Sequence, residues 1–334
     1  MKEETMDNHP GNRSWPAIDS HVDLLYDLLR HHPDRPLPDI PDAWVTLSRL
    51  EEGGVRVFVS VFYCPDAYNG PVKSADYLRY LLQYSEKHLP GFKTIRSTEE
   101  LVCVYLGSGT PGALLLLENA DPLLEYPPHA LKERGFHAVG LTHVGRNRIG
   151  CGNTVGEPQG LSPAGRKLVV ELDRLGFAID TAHLSEPAFA EVDDLFTGPL
   201  FSSHTGFRAF NETPRNLSDE QIRAILRRDG VVGMAAAPGM ISDDAKVGIN
   251  HVFRQIDWFV QRFGSEGIAI GSDMGGYDGV CEGFNDHRDF PRLAEFLSGA
   301  GYPDRAIEGI MGGNWFRFFS RLLAGPSMEE GQTG

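Results

Sequence analysis

Several short apolar runs of this chain stop at a side chain able to ligate a metal. His21 and Asp23 close AIDSHVD, Glu118 closes LLLLE, His183 closes AIDTAH, His204 closes LFSSH, and Asp273 closes IAIGSD. A strand buried on both faces has no internal use for imidazole or carboxylate. His21 and Asp23 stand two apart, and on a strand such side chains point the same way, so both reach one ion. A carboxylate has two oxygens, so Glu118 can bridge two ions roughly 3.5–4 Å apart. His183 and His204 then supply neutral imidazoles to the second ion. Each residue alone has a plainer reading: Asp23 as the N-cap of LLYDLLR, each histidine as a locally hydrogen-bonded core residue. Coincidence at so many strand ends is the poorer account, because the C-terminal rim of an α/β barrel is where strands converge and catalysis is built. The pattern predicts a metal-dependent hydrolase with two divalent ions per chain, zinc by ligand type.

Further polar residues fall on the same rim. His143, in GLTHVG, can donate to a polarised carbonyl or a developing oxyanion. Asp273 fits a general base or water-orienting acid close to the ions. Asp278 either shares that role or shapes the loop MGGYDG. Arg215, in TPRNLSDE, can clamp a substrate carboxylate bidentately or stand solvated, and the residues alone leave both open. Two other signals are set aside. GSGTPG (107–112) matches GxGxxG but follows a helix and precedes a strand, the reverse of the dinucleotide-binding context. Ser202 and Ser203 belong to no G-x-S-x-G elbow.

The elements that must hold these residues alternate along the whole chain. Strands are read in WPAIDSH, VRVFVSVFY, LLLLE, AVGLTH, FAIDTAH, LFSSH, VVGMAAA and IAIGSD, with helical spacing between them and FKTIR as an accessory. Eight strands alternating with helices predict a single-domain (β/α)8 TIM-type barrel over residues 15–325, with an open doubly wound sheet as the runner-up. Ser218 with Gln221 predicts a capping box, and Ser162-Pro163 a helix start. Gly176, Gly230 and Gly264 are expected left-handed helix ends. Residues 1–14 and 326–334 are expected to be mobile ends.

Composition narrows the partners. A formal net charge of −15 argues against nucleic acid and against an anionic membrane surface. No apolar stretch approaches the roughly 18 residues of a membrane span, and MKEETMDNHPGNRSW lacks the apolar core of a signal peptide. Cys64, Cys103, Cys151 and Cys281 lie far apart without CxxC spacing, which suits reduced thiols in a cytoplasmic enzyme. The expected partner is a small molecule, and a homodimer is compatible with the reading.

Together these residues resemble the membrane (renal) dipeptidase family of zinc peptidases, within the amidohydrolase-like barrels. The similarity runs from IDSHVD through LENAD, GLTH, GLSPAGRKLVVELDRLGFAIDTAHLS, SSH, PRNLSD and GSD to GGNWFR. The resemblance implies His21 and Asp23 on one zinc, Glu118 bridging, and His183 and His204 on the other. It implies that His143 polarises the scissile carbonyl, Arg215 holds the C-terminal carboxylate of a dipeptide, and Asp273 handles protons and the substrate amine. It also implies tolerance of a C-terminal D-residue. Three segments depart from the family pattern: the lengthened GSDMGGYDGV around Asp278, MAAAP at the penultimate strand, and VGRNRIGCGNTVGEPQG after His143. These leave open a hydrolase of N-acyl amino acids or lactones, or a non-hydrolytic binding relative.

Overall fold

Parallel pairing runs unbroken around the molecule, which a computed structural model describes at residues 15–35, 40, 43–89 and 93–325. The strands are β1 (Ala17–Val22), β2 (Val55–Tyr63), β3 (Lys93–Thr94), β4 (Gly112–Glu118), β5 (Phe136–Gly140), β6 (Ala178–Asp180), β7 (Leu200–Thr205), β8 (Val232–Met234) and β9 (Ile268–Ile270). Their order is β1-β2-β4-β5-β6-β7-β8-β9, with the short β3 off the path on β4. Closure comes from backbone bonds at the strand ends. The Asp273 N–H donates to the His21 carbonyl and the Asp23 N–H to that of Met274, each at 3.0 Å. The barrel read from the sequence is therefore the fold, and the open sheet is not. The expectation of mobile ends at 1–14 and 326–334 lies outside the described residues.

Register sets the level of the rim. Tyr63 pairs with Glu118, Glu118 with Gly140, Gly140 with Asp180, and Asp180 with Phe201. Residues just past these positions therefore emerge together at one end. Below them the barrel is filled by Ile18, Val57, Val59, Leu114, Ala138, Ala178 and Ala269. The C-terminal helix Asn314–Ala324 packs Trp315, Phe318 and Phe319 into the same cluster, and Trp315 meets Phe201 edge-on. Each of these buried phenylalanines contributes about 1.5–3 kcal/mol by leaving water. Phe201 lies near the start of β7 and His204 near its end, so the aromatic plug fills the end away from the polar rim.

Local chemistry explains the boundaries. Ser218 and Gln221 form the reciprocal capping box at the helix Asp219–Leu226, and Ser162 accepts from the Gly165 N–H at Pro163–Arg174. Gly176 and Gly264 take the expected left-handed backbone, at φ +67° and +88°. Gly230 does not. Asp229 (φ +52°) makes that turn, and Gly230 is needed because a Cβ would collide with the Leu200 carbonyl. β6 and β8 are shorter than their apolar runs. Past Met234 the Ala235 and Ala236 N–H groups bond to the Thr205 carbonyl and the Ser272 carbonyl instead of continuing one ladder. None of the described helices is long and apolar enough to cross a membrane.

Candidate metal centre

The rim departs from ordinary backbone where the polar residues sit. Among the described residues, non-glycine positive φ occurs at Asn119, His183 and Asp273, besides Val72 and Asp229. His183 (φ +66°) and Asp273 (φ +65°) each follow a strand, and the left-handed turn aims the side chain inward. Such conformations cost about 1–3 kcal/mol each and persist where the surroundings hold them. Asp23 precedes the helix Leu24–His31, yet its side chain makes no capping bond, which leaves the carboxylate for the rim.

These turns gather one buried cluster. His21 Nε2 lies 3.3 Å from Asp23 Oδ2, 3.9 Å from Glu118 Oε1 and 3.9 Å from Asp273 Oδ1. On the far side of Glu118, its Oε1 is 3.2 Å from His183 Nε2, which lies 3.1 Å from His204 Nε2. Two ligand sets result, His21–Asp23–Glu118 and Glu118–His183–His204, each with its ligand atoms within 4.8 Å of one another. Glu118 belongs to both.

The electrostatics of the cluster call for cations. Burial works against protonating His21, but the hydrogen bond to Asp23 and the charges of Glu118, Asp23 and Asp273 carry its pKa up to about 10. Burial and the neighbouring Asp23 push the Asp273 carboxyl well above the carboxylate range. Desolvation, opposed by the hydrogen bond from His183 and the charge of His21, leaves Glu118 well below its usual value. Burial and the nearby Arg215 drive His183 far down, and burial with His21 and Arg215 does the same to His204. Neutral imidazoles of His183 and His204 facing buried carboxylates are a donor set that suits divalent metal. The residues fit the group that the sequence predicted.

The other expected residues fall around this cluster, with one exception. The Arg215 guanidinium bonds through one Nη to the His204 carbonyl at 3.1 Å and stands 3.4 Å from His183 Nε2. It also lines a cavity of about 630 Å³ with Thr154, Val155, Pro158, Arg208 and Thr213. Three of these residues come from the segment that departs from the family pattern. The His143 ring lies 4.5 Å from that of His183, with Nδ1 3.2 Å from the Tyr63 hydroxyl and 3.4 Å from Asp66 Oδ2. Asp278 is not brought in. Its carboxylate is 84% exposed and pairs with Arg30 at 3.1 Å, because Gly275 (φ +92°) and Gly279 (φ +105°) turn the loop outward. What the loop places against the cluster is Gly276, where a Cβ would stand 2.5 Å from Asp273 Oδ1 and closer still to Asp23 Oδ2. Ala235, Ala236 and Ala237 are buried, and Ala236 packs in the main core.

Sequence reasoning missed the residues that hold this cluster from behind. Asp66 accepts from the Gly145 N–H at 2.9 Å; despite burial, the hydrogen bonds from His143 and Gly145 keep it ionised below the usual range. Asp19 accepts from the Ser272 hydroxyl at 2.5 Å and lies 3.0 Å from His287 Nε2. Asp180 accepts from Ser203. A signal existed: AIDSH and AIDTAH each bury an aspartate inside an apolar strand, which wants a hydrogen-bonded partner.

Comparison with known proteins agrees with this architecture. The family model for membrane dipeptidases, peptidase family M19, matches residues 11–325. An uncharacterized protein in the pqqA 5′ region of Klebsiella pneumoniae is 30% identical over 206 residues, covering 57% of this chain and 75% of that protein. Human dipeptidase 3 is 24% identical over 334 residues, and the match covers 93% of this chain but 66% of that protein. The chain thus spans about two thirds of the length of its mammalian relatives. The crystal structure of a dipeptidase AC, a metallopeptidase of family M19, superposes with a TM-score of 0.83 at 25% identity, covering 93% of this chain and 99% of that one. A metallopeptidase from Rhodobacter sphaeroides, liganded with a phosphinate mimic of the dipeptide L-Ala-D-Ala, shares the fold at 24% identity and a TM-score of 0.82, covering 93% of this chain and all of that one. With a family match over nearly its whole length, the chain belongs to the membrane dipeptidase family of metallopeptidases.

Proposed function

We propose that this chain is a dipeptidase that holds two zinc ions and hydrolyses dipeptides, including those with a C-terminal D-residue. The observation that carries the reading is Glu118 Oε1, which stands between His21 Nε2 and His183 Nε2 and belongs to both ligand sets. His21 and Asp23 would hold one ion, His183 and His204 the other, with Glu118 shared. Bound divalent metal would polarise the scissile carbonyl and lower the pKa of water to about 7. The chain's own residues do the rest. Arg215 offers its remaining guanidinium edge to the substrate carboxylate, which places the peptide bond by its end rather than by its side chain. Tolerance of a D-residue at that position is what the family resemblance adds to this grip. His143, held by Asp66 and Tyr63 through Nδ1, presents Nε2 to the carbonyl oxygen. Asp273 accepts a proton and returns it to the leaving amine.

The test pairs elemental analysis with kinetics on L-L dipeptides, L-D dipeptides and tripeptides. Two zinc ions per chain, cleavage of both dipeptide classes and little tripeptide cleavage are expected. Trace metal after reconstitution, robust tripeptide cleavage or strict rejection of L-D dipeptides would overturn the reading. Preference for N-acyl amino acids or lactones would keep the metal chemistry and replace the substrate.

A further inference from the structure

We infer that Ser203 is a positioning residue that orients histidine ligands of both ions at once; the inference rests on the two-ion reading above. Its hydroxyl oxygen lies 2.9 Å from His21 Nδ1 and 2.8 Å from His204 Nδ1, and it donates to Asp180 Oδ2 at 2.5 Å. All four residues are buried. A serine hydroxyl has one proton and two lone pairs. Asp180 takes the proton, and its other oxygen is fixed as an acceptor by the Ser203 N–H at 2.8 Å and the Ala182 N–H at 3.1 Å. The two lone pairs therefore face the two Nδ1 atoms, and each of those must carry a hydrogen. With Nδ1 of each ring engaged by the serine, Nε2 is the nitrogen each ring can offer to a metal. Those Nε2 atoms face Asp23 and Glu118 from His21, and His183 from His204.

His21, Asp180 and His204 also offer ligand atoms within 4.8 Å of one another, a spacing that would suit a third ion. The serine oxygen stands within 2.9 Å of all three side chains, so the trio is a hydrogen-bond hub and not a cation site. A ligating histidine commonly donates its second N–H to a partner of its own. Here one hydroxyl on β7 serves ligands assigned to different ions, one of them on β1 across the mouth of the barrel. The two rings touch as well, with centroids 3.7 Å apart. The Ser20 hydroxyl fastens the same place by donating to the Ser203 carbonyl at 2.6 Å. Loss of the hub frees both rings, so the two ions should weaken together.

Zinc is removed by chelation and added back to the wild type, Ser203→Ala, Ser203→Thr and Asp180→Asn. Bound zinc is read by elemental analysis, affinity by competition with a chromophoric chelator, and integrity by the melting temperature of the metal-free protein. Ser203→Ala should lower both affinities by about tenfold to a hundredfold at an unchanged metal-free melting temperature. Asp180→Asn should do the same, and Ser203→Thr, which keeps the hydroxyl, should recover both. Unchanged affinity in Ser203→Ala or Asp180→Asn, loss at one ion only, or a loss matched by a lower metal-free melting temperature overturns the inference. A wild type that takes fewer than two ions refutes the two-ion reading itself, and this inference with it.

Discussion

His21, Asp23 and Asp273 form one side of the cluster, His183, His204 and Arg215 form the other, and Glu118 stands between them. The histidines on both sides are buried, with Arg215 only partly so, but they respond to burial in opposite ways. On the first, carboxylates outweigh desolvation and His21 gains proton affinity. On the second, desolvation is reinforced by the Arg215 charge, and both imidazoles are held neutral. The first side therefore attracts a cation by charge. The second offers lone pairs next to a guanidinium that can meet a substrate anion. On the proposed reading both sides would contribute metal ligands and the second alone a group for the substrate anion, with Glu118 shared between the two ligand sets.

The largest expected effect comes from removing that shared ligand. Glu118→Ala takes a carboxylate oxygen from both ligand sets. Losing metal-assisted stabilisation of several kcal/mol corresponds to a fall in kcat/KM on the order of 10³-fold or more. Bound zinc should drop at both positions, whereas His183→Ala should empty mainly the imidazole side. Elemental analysis of the two variants side by side checks this; equal stoichiometry in both would remove Glu118 from its shared role.

Next in size is Arg215→Ala. A charge-assisted hydrogen bond contributes about 1.5–3 kcal/mol, so free-acid dipeptides should lose roughly tenfold to a hundredfold in kcat/KM. C-terminal amides, which offer no bidentate anion, should lose far less. Equal losses on acids and amides would make Arg215 a support for His183 and His204 and not a clamp.

Gly276→Ala should act on the acidic side alone. The added methyl must displace the carboxylates of Asp23 or Asp273, which a Cβ there would overlap. A roughly tenfold weakening of one zinc, in the range caused by disturbing ligand support, is expected with the other unchanged. Metal affinity measured stepwise would show it, and weakening of both ions would place the loop's influence beyond Asp23.

The asymmetry was only partly legible in the sequence. Apolar runs ending in His21, Glu118, His183 and His204 gave the barrel and its rim, because strand ends on a parallel barrel are forced to one level. β2 was legible residue for residue, since VRVFVSVFY is β-branched and aromatic throughout. The second tier was not. Ser203 meets His21 from 182 positions away and Asp19 meets His287 from 268, contacts set by closure of the barrel and invisible to local pattern. Asp278 misled for a related reason. Its distance along the chain from Asp273 is short, but two left-handed glycines on either side reverse the direction in which the loop presents it.

The smallest effect tests the electrostatic cause apart from any ligand. His137, on β5, is a partly buried imidazole whose two ring nitrogens are shielded from water and make no hydrogen bond. Burial, reinforced by the charges of Lys132 and Arg96, lowers its pKa from 6.5 to about 4. This is the combination that keeps His183 neutral, with Lys132 and Arg96 in place of Arg215 and no carboxylate opposing them. Between about pH 4 and 6.5 the unfolded chain binds a proton at this position that the folded chain does not, so stability rises with pH across that window. The stability is lost as pH falls through it. His137→Leu removes both the titration and a buried polar group without a partner, and should stabilise by about 1 kcal/mol while leaving kcat/KM unchanged. Thermal melts of wild type and variant at pH 7 and pH 5 read the effect, with a larger gain at pH 5. An equal gain at both pH values would show that His137 titrates normally, and would weaken the argument that burial beside a cation is what holds His183 and His204 neutral.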